Sequence, residues 1–202
     1  MSLQQHLAII EQQLGRPPRA LKAIAASSNS GVPLVLKMHP LMDNKPFPTL
    51  YWLSSKDLHK AISQIEMTGM VKQLEQQLQD DSKWMAAYQE NQRAYVAERW
   101  ANCSAQDLKQ LDQLGYTTLF DTYGIGGLRD WQQIRCLHMQ YAHHLCGENV
   151  IGLGHHSHAF AHASLRRQLG DVLAAQGNIP LAQFEHAEYR LHGRRLTSSI
   201  RA

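Results

Sequence analysis

The sequence predicts an α+β fold that is predominantly α-helical, with a small three-stranded antiparallel meander near the N-terminus packed against helices. Two observations lead to this prediction. Three short apolar runs separated by turn-forming residues lie before Ser54, and helical periodicity dominates from Ser54 onward. A length of 202 residues and a hydrophobic content of 44% are sufficient for one domain with a substantial core.

The first element is predicted to be a helix over residues 2–14. Apolar residues recur there at helical spacing, at Leu3, Leu7, Ile10 and Leu14. Gly15 follows as a helix terminator, and the next residues, RPPR, exclude a helix because proline cannot continue one.

Three strands are predicted over residues 21–25, 32–38 and 49–53. The segment SSNSG separates the first two, and HPLMDNKPFP separates the second from the third. Both segments are rich in turn-forming residues, which favours an antiparallel meander.

The rest of the chain is predicted to be helical, apart from a turn-rich loop over residues 116–127. Ser54 or Ser55 is a suitable N-cap for the first of these helices, and Gly69 a suitable terminator. The predicted helices cover residues 54–67, 70–79, 81–101, 104–114, 129–146, 157–175 and 180–191.

Composition indicates a soluble cytoplasmic protein. Three cysteines suggest free thiols in a reducing compartment, and we find neither a signal peptide nor about 18 consecutive apolar residues. The formal charge of +3 is compatible with nucleic-acid binding but is too small to indicate it.

Seven of the 12 histidines lie between His138 and His162. On the predicted helix 129–146, His138 lies in an apolar stripe, whereas Cys136 and His143 lie on another face, ~10.5 Å apart along the axis. We therefore predict that Cys136, His138 and His143 do not share one metal ion on this helix, and that His138 is a hydrogen-bonded core residue.

His158 and His162 are weak candidates for a metal site. Their i, i+4 spacing suits two ligands on one helix, but no HExxH motif accompanies them. The same two side chains also extend an apolar face, so packing is the alternative explanation.

Four segments carry a resemblance to a known family: LGRPPRALKAIA, GVPLVLKMHPLMDNKPFPTLYWLS, ISQIEMTGMVKQLE and IRCLHMQYAHHLCGENVIG. They resemble the bacterial domain of unknown function 501 over roughly residues 7–154. This resemblance implies a small cytoplasmic bacterial protein without an established activity.

The resemblance also implies one departure from the family. Many members carry cysteine where this chain has Ser28 and Ser55, and with Cys136 these thiols would be typical of a metal or cluster site. Hydroxyl groups are poor ligands for soft metals. We therefore expect no cofactor, and no iron–sulfur cluster or tightly held zinc near Cys136, although a divalent metal elsewhere stays possible.

Three functions are compatible with the sequence. The first is a non-catalytic binding or adaptor protein for a protein or nucleic-acid partner. The second is an enzyme acting on an anionic small molecule, although no nucleophile motif identifies a catalytic residue. The third is a metal-linked or redox protein with a degenerate cysteine site. The candidate ligand-binding residues are Arg16, Arg19, Arg135, His138 and His143.

We expect residues 1–154 to form the α+β domain and residues 155–202 to form a histidine-rich helical extension packed on it. The helix 129–146 is predicted to pack on the meander near residues 49–53, with His138 at the contact and the candidate arginines at the rim of any ligand site.

Overall fold

The computed structural model describes residues 3–153 of the chain. Eight helices and five strands lie in that part of the chain. The helices are α1 (Leu3–Leu14), α2 (Lys56–Met67), α3 (Met70–Asp80), α4 (Ser82–Ala101), α5 (Ala105–Gln113), α6 (Thr117–Thr122), α7 (Leu137–His144) and α8 (Val150–Leu153). The strands are β1 (Leu21–Ser27), β2 (Pro33–Met38), β3 (Leu41–Met42), β4 (Lys45–Pro46) and β5 (Tyr51–Leu53).

The predicted meander is confirmed as an antiparallel sheet with the strand order β1-β2-β5. Leu36 of the central strand pairs with Ile24 on one side and with Trp52 on the other. The predicted loop between the second and third strands contains a small additional hairpin, β3–β4. Its two turn residues, Asp43 and Asn44, both have positive φ, as a two-residue hairpin turn requires.

Side chains of β2 are divided between two apolar clusters. Leu34 and Val35 belong to the main core with the helices that follow the sheet. Leu36 and Met38 pack instead with Ile10 of α1. The sheet is therefore covered on both faces, which explains why β2 is a nearly continuous apolar run.

Helix termini largely follow the predicted signals. Ser55 is the N-cap of α2, its hydroxyl accepting a hydrogen bond from the Leu58 N–H. Gly69 adopts the left-handed conformation (φ 82°) between α2 and α3. Ser104 and Asp107 form a capping box at the start of α5.

The prediction of a loop over residues 116–127 is wrong in part. This segment contains α6 and a short 3-10 helix over Ile125–Gly127. Phe120 in α6 and Ile125 in the 3-10 helix are both completely buried, so packing in the core stabilises helical turns in a segment whose sequence predicts a loop. Local propensity is overridden here by tertiary packing.

The prediction of one helix over residues 129–146 is wrong in its first half, because α7 begins only at Leu137 and ends at His144. The backbone before it is bound by side chains from α3 and α4. Glu75 Oε1 accepts from the Ile134 N–H at 2.9 Å, and the Tyr88 hydroxyl donates to the Gln133 carbonyl at 2.8 Å. These bonds satisfy backbone groups that the predicted helix would have paired internally.

The predicted packing of this region on the sheet is confirmed in its main point, since α7 packs against β5. The predicted place of His138 needs correction, because its side chain contacts α2 rather than the sheet. None of the helices among residues 3–153 is both long and apolar enough to cross a membrane. The helices predicted over 157–175 and 180–191, with His158 and His162, lie outside the described residues.

Candidate functional site

The structure does not bring the five predicted ligand-binding residues together. The Arg16 guanidinium lies 5.6 Å from the centre of the Trp52 ring, and Arg19 forms an ion pair with Asp43 in the β3–β4 hairpin. Arg135 donates to the Gly126 carbonyl at 3.3 Å. Each arginine thus contacts a different part of the chain.

His138 instead belongs to a group that we call the Glu–Cys–His cluster, composed of Glu66, Cys136 and His138. Glu66 lies in the last turn of α2, Cys136 is the N-cap residue of α7, and His138 lies in the first turn of α7. One potential metal-binding atom from each residue lies within 4.8 Å of the other two. The cluster therefore joins the end of one helix to the beginning of another.

Nδ1 of His138 is the centre of this cluster. It lies 3.4 Å from Cys136 Sγ and 3.3 Å from Glu66 Oε2. Tetrahedral zinc ligands at bond lengths of 2.0–2.3 Å are separated from each other by roughly 3.3–3.7 Å. Two of the three separations thus already suit a shared ion.

The other ring nitrogen fixes the tautomer of His138. Nε2 lies 3.0 Å from the His59 carbonyl oxygen, which can only accept a hydrogen bond, so Nε2 carries a hydrogen. The Ser63 hydroxyl is a further neighbour at 3.2 Å. In the neutral ring the lone pair of Nδ1 consequently faces both the Glu66 carboxylate and the Cys136 sulfur.

These contacts change the pKa of the His138 imidazole. Burial disfavours the charged form, but hydrogen bonds to Cys136 and to the His59 carbonyl, together with the charge of Glu66, outweigh it and raise the pKa of His138. The neighbouring His59 behaves in the opposite way, because burial and the charge of His138 lower its pKa. A positive charge is therefore favoured at Nδ1 of His138.

Glu66 is held in place by the helix that it faces. Its second oxygen, Oε1, accepts from the Leu137 N–H at 2.6 Å, at the N-terminus of α7. A carboxylate at this position is stabilised by the free N–H groups and the dipole of the helix. The three side chains remain partly accessible, with 12% of the His138 side chain and 26% of the Glu66 side chain exposed.

Sequence reasoning missed Glu66 as a functional candidate. It lies 70 residues before Cys136, and no local motif links it to α7. Sequence reasoning also placed Cys136 within a helix. In the structure its backbone is extended (φ −157°, ψ 126°), and Cys136 is the N-cap residue of α7. The second error comes from the predicted helix over residues 129–146.

Ser28 and Ser55 have structural roles of their own. The Ser28 hydroxyl accepts from the Val32 N–H at 2.9 Å in the β1–β2 turn. Ser55 caps α2 at the end opposite Glu66, about 16 Å away along the helix axis. Neither serine belongs to the Glu–Cys–His cluster.

His143 lies in a separate, buried site. Asn149 Nδ2 donates to His143 Nδ1 at 3.1 Å, and the ring is stacked on Tyr51 with 6.1 Å between the ring centres. Burial outweighs the favourable charge of Glu98 and lowers the pKa of His143 from 6.5 to about 4. The ring is therefore neutral at physiological pH.

We expect His143 to make the protein less stable in mild acid. A base whose pKa is depressed in the folded state binds fewer protons there than in the unfolded chain, so its stabilising effect is complete above pH 6.5 and is lost as the pH falls towards 4. The free energy of unfolding should fall by about 3 kcal/mol over this pH range. Urea unfolding of the wild type and of His143→Gln between pH 4 and 7 measures it.

The amide side chain that replaces the imidazole in this variant does not titrate, so the wild type should lose about 3 kcal/mol more than the variant over this range. His59 and His138 titrate in both proteins, so the difference isolates His143. Parallel pH profiles for the two proteins would show that His143 is not held neutral by the fold.

Comparison with known proteins gives one match. A family model described as protein of unknown function (DUF501) matches residues 24–156, which is more than half of the chain. The match begins later than the resemblance inferred from the sequence and ends at nearly the same point. Searches of curated proteins and of solved structures found no significant match.

Proposed function

We propose that this chain, which belongs to the DUF501 family of proteins of unknown function, binds a divalent transition-metal ion through Glu66, Cys136 and His138. The observation that carries the proposal is the proximity of three potential ligand atoms, all within 4.8 Å of one another, with the lone pair of His138 Nδ1 oriented towards the other two by the Nε2 hydrogen bond.

The orientation of His138 is typical of a metal ligand. A histidine that binds a metal through one ring nitrogen usually donates the hydrogen of the other nitrogen to a carbonyl or carboxylate oxygen. His138 does so to the His59 carbonyl. Glu66 has a comparable second contact, to the Leu137 N–H.

The ligand chemistry selects the class of metal. One thiolate, one imidazole and one carboxylate suit zinc and its first-row neighbours, whereas magnesium and calcium prefer oxygen ligands alone. Three protein ligands leave one position of a tetrahedron for water or an exogenous ligand. Partial exposure of Glu66 and Cys136 gives an ion access to the cluster.

This proposal replaces our expectation that no metal is held near Cys136. That expectation considered the positions of Ser28 and Ser55 and the histidines of the same predicted helix as partners for Cys136, whereas Glu66 offers a ligand from another helix. Of the other two functions, the adaptor role for a protein partner would be favoured by a broad apolar surface, yet the exposed large apolar side chains among residues 3–153 are few. They are Met67, Leu108 and Leu114.

Metal titration of the purified, untagged full chain tests the proposal. We expect the wild type to bind one Zn²⁺ per chain at this cluster and to bind Co²⁺ with the near-ultraviolet absorption of a cobalt–thiolate bond. Cys136→Ser should abolish that absorption and weaken Zn²⁺ binding by 100-fold or more, in order of magnitude. Glu66→Gln should weaken binding without removing the absorption.

Cys103→Ser is the matched control, since Cys103 is also a partly buried free cysteine but lies after α4, where its thiol contacts the Arg99 carbonyl. That variant should bind both metals like the wild type. Binding that survives Cys136→Ser unchanged, or that is lost equally in Cys103→Ser, would sink the proposal.

A further inference from the structure

Three polar residues, His59, Ser63 and Glu66, form one stripe along α2. Their spacing of i, i+4 and i+7 places them on the same face of the helix. That face meets α7 at His138, since the Ser63 hydroxyl lies 3.2 Å from His138 Nε2 and Glu66 Oε2 lies 3.3 Å from Nδ1. His59 therefore lies beside the Glu–Cys–His cluster, on the helix that already supplies Glu66.

The imidazole ring of His59 contacts the imidazole ring of His138. The two ring centres are 4.0 Å apart and the ring planes are inclined by 40°. Ring centres this close exclude an edge-on contact, so His59 lies over one face of the His138 ring. The backbone of His59 is held by the same neighbour, because its carbonyl oxygen lies 3.0 Å from His138 Nε2.

The His59 side chain is free to change its rotamer. Its ring nitrogens form no hydrogen bond with any residue between 3 and 153. The residue is exposed, whereas the side chain of His138 is only 12% exposed. Exposed side chains change rotamer within picoseconds to nanoseconds. The ring can therefore turn without breaking a polar contact in this part of the chain.

A modest rotation would bring a nitrogen of His59 to an ion bound at His138. An ion at about 2.0–2.1 Å from Nδ1 lies in the plane of the His138 ring, ~3.2 Å from the ring centre. Because His59 lies over the face of that ring, its own centre is about 5 Å from the ion. Coordination needs ~3.2 Å, so the His59 ring has to move by about 2 Å. In the rotamer of this structure His59 is not part of the cluster.

We propose that His59 is the fourth protein ligand of the metal ion held by Glu66, Cys136 and His138. This inference rests on the proposed function and adds to it the group that fills the remaining position of the tetrahedron. One thiolate, one carboxylate and two imidazoles close the coordination shell of zinc. A closed shell of four protein ligands is typical of a structural zinc site, whereas a catalytic site keeps one position for water.

Cobalt substitution of the untagged full chain distinguishes a closed site from an open one. Sodium azide, which binds a cobalt ion at a position held by water, should leave the visible cobalt bands of the wild type unchanged. In His59→Ala azide should change these bands saturably, and Zn²⁺ should bind more weakly by about tenfold or more. Imidazole added to His59→Ala should restore the bands of the wild type.

His39→Ala is the matched control, since His39 is also an exposed histidine but directly follows β2. It should behave like the wild type with azide and with Zn²⁺. His59→Ala keeps the backbone carbonyl that accepts from His138 Nε2, and alanine favours a helix, so this variant should fold. Circular dichroism checks this, and His59→Gln replaces a variant that has lost its helices.

The near-ultraviolet cobalt–thiolate absorption separates this proposal from the proposed function. Its absence from the wild type would overturn both, because no ion would then be bound by Cys136. If the absorption is present but azide changes the visible bands of the wild type, water holds the fourth position and only the assignment of His59 is overturned. Bands of His59→Ala that do not respond to azide would place the fourth ligand elsewhere in the chain and would also overturn it.

Discussion

Replacing Ile134 by Asp is expected to unfold the protein. Ile134 is only 4% exposed and packs in the main core although it lies in no helix. Its N–H is bound by the Glu75 carboxylate, so an aspartate there would be buried beside a second negative charge. An unpaired buried charge costs several kcal/mol, which is comparable with the whole stability of a typical domain of about 5–15 kcal/mol.

Circular dichroism and urea unfolding measure this effect. Ile134→Val is the matched control, because it removes one methylene group from the same position and should cost only about 1 kcal/mol. If Ile134→Asp remained folded with a stability close to that of Ile134→Val, the segment before α7 would not be part of the core as we describe it.

The second large effect is stabilisation by zinc. A ligand that binds only the folded state raises the free energy of unfolding by about 2.7 kcal/mol when its free concentration is 100 times its Kd. For a protein of this size we expect the Tm to rise by about 5–10 °C on saturation. The physical reason is that the ion would join α2 to the N-terminus of α7, two elements that separate on unfolding.

Differential scanning calorimetry with and without Zn²⁺ checks this prediction. Cys136→Ser should show no rise in Tm, whereas Cys103→Ser should show the full rise. A rise of equal size in all three proteins would point to zinc binding at other residues and would count against the Glu–Cys–His cluster.

The architecture of the domain was predictable because its signals are local. Ser55 and Ser104 are N-caps of the expected kind, and the apolar run before His39 is a buried central strand. Such elements depend on neighbours a few residues away, so periodicity and capping residues identify them.

The segment before α7 was not predictable for the opposite reason. Its backbone partners are side chains of Glu75, Gln79 and Tyr88, which lie more than 40 residues earlier in the chain. The sequence pattern there favours a helix, and only the folded chain shows that other hydrogen bonds replace the helical ones. The candidate metal cluster depends on this departure.

His138 illustrates the consequence for function. Sequence reasoning correctly selected it as a hydrogen-bonded and largely buried residue, but could not identify its partners. Glu66 and the His59 carbonyl come from α2, and Cys136 becomes a neighbour only because α7 begins after it. A site built across two helices leaves no spacing pattern in the sequence.

The measurement that tests the central claim most directly is zinc K-edge X-ray absorption of the zinc-loaded full chain. We predict one sulfur ligand at about 2.3 Å and nitrogen or oxygen ligands at about 2.0–2.1 Å, with the sulfur contribution lost in Cys136→Ser. A coordination shell without sulfur in the wild type, or a sulfur contribution that persists in Cys136→Ser, would contradict the assignment of Glu66, Cys136 and His138 as the metal ligands.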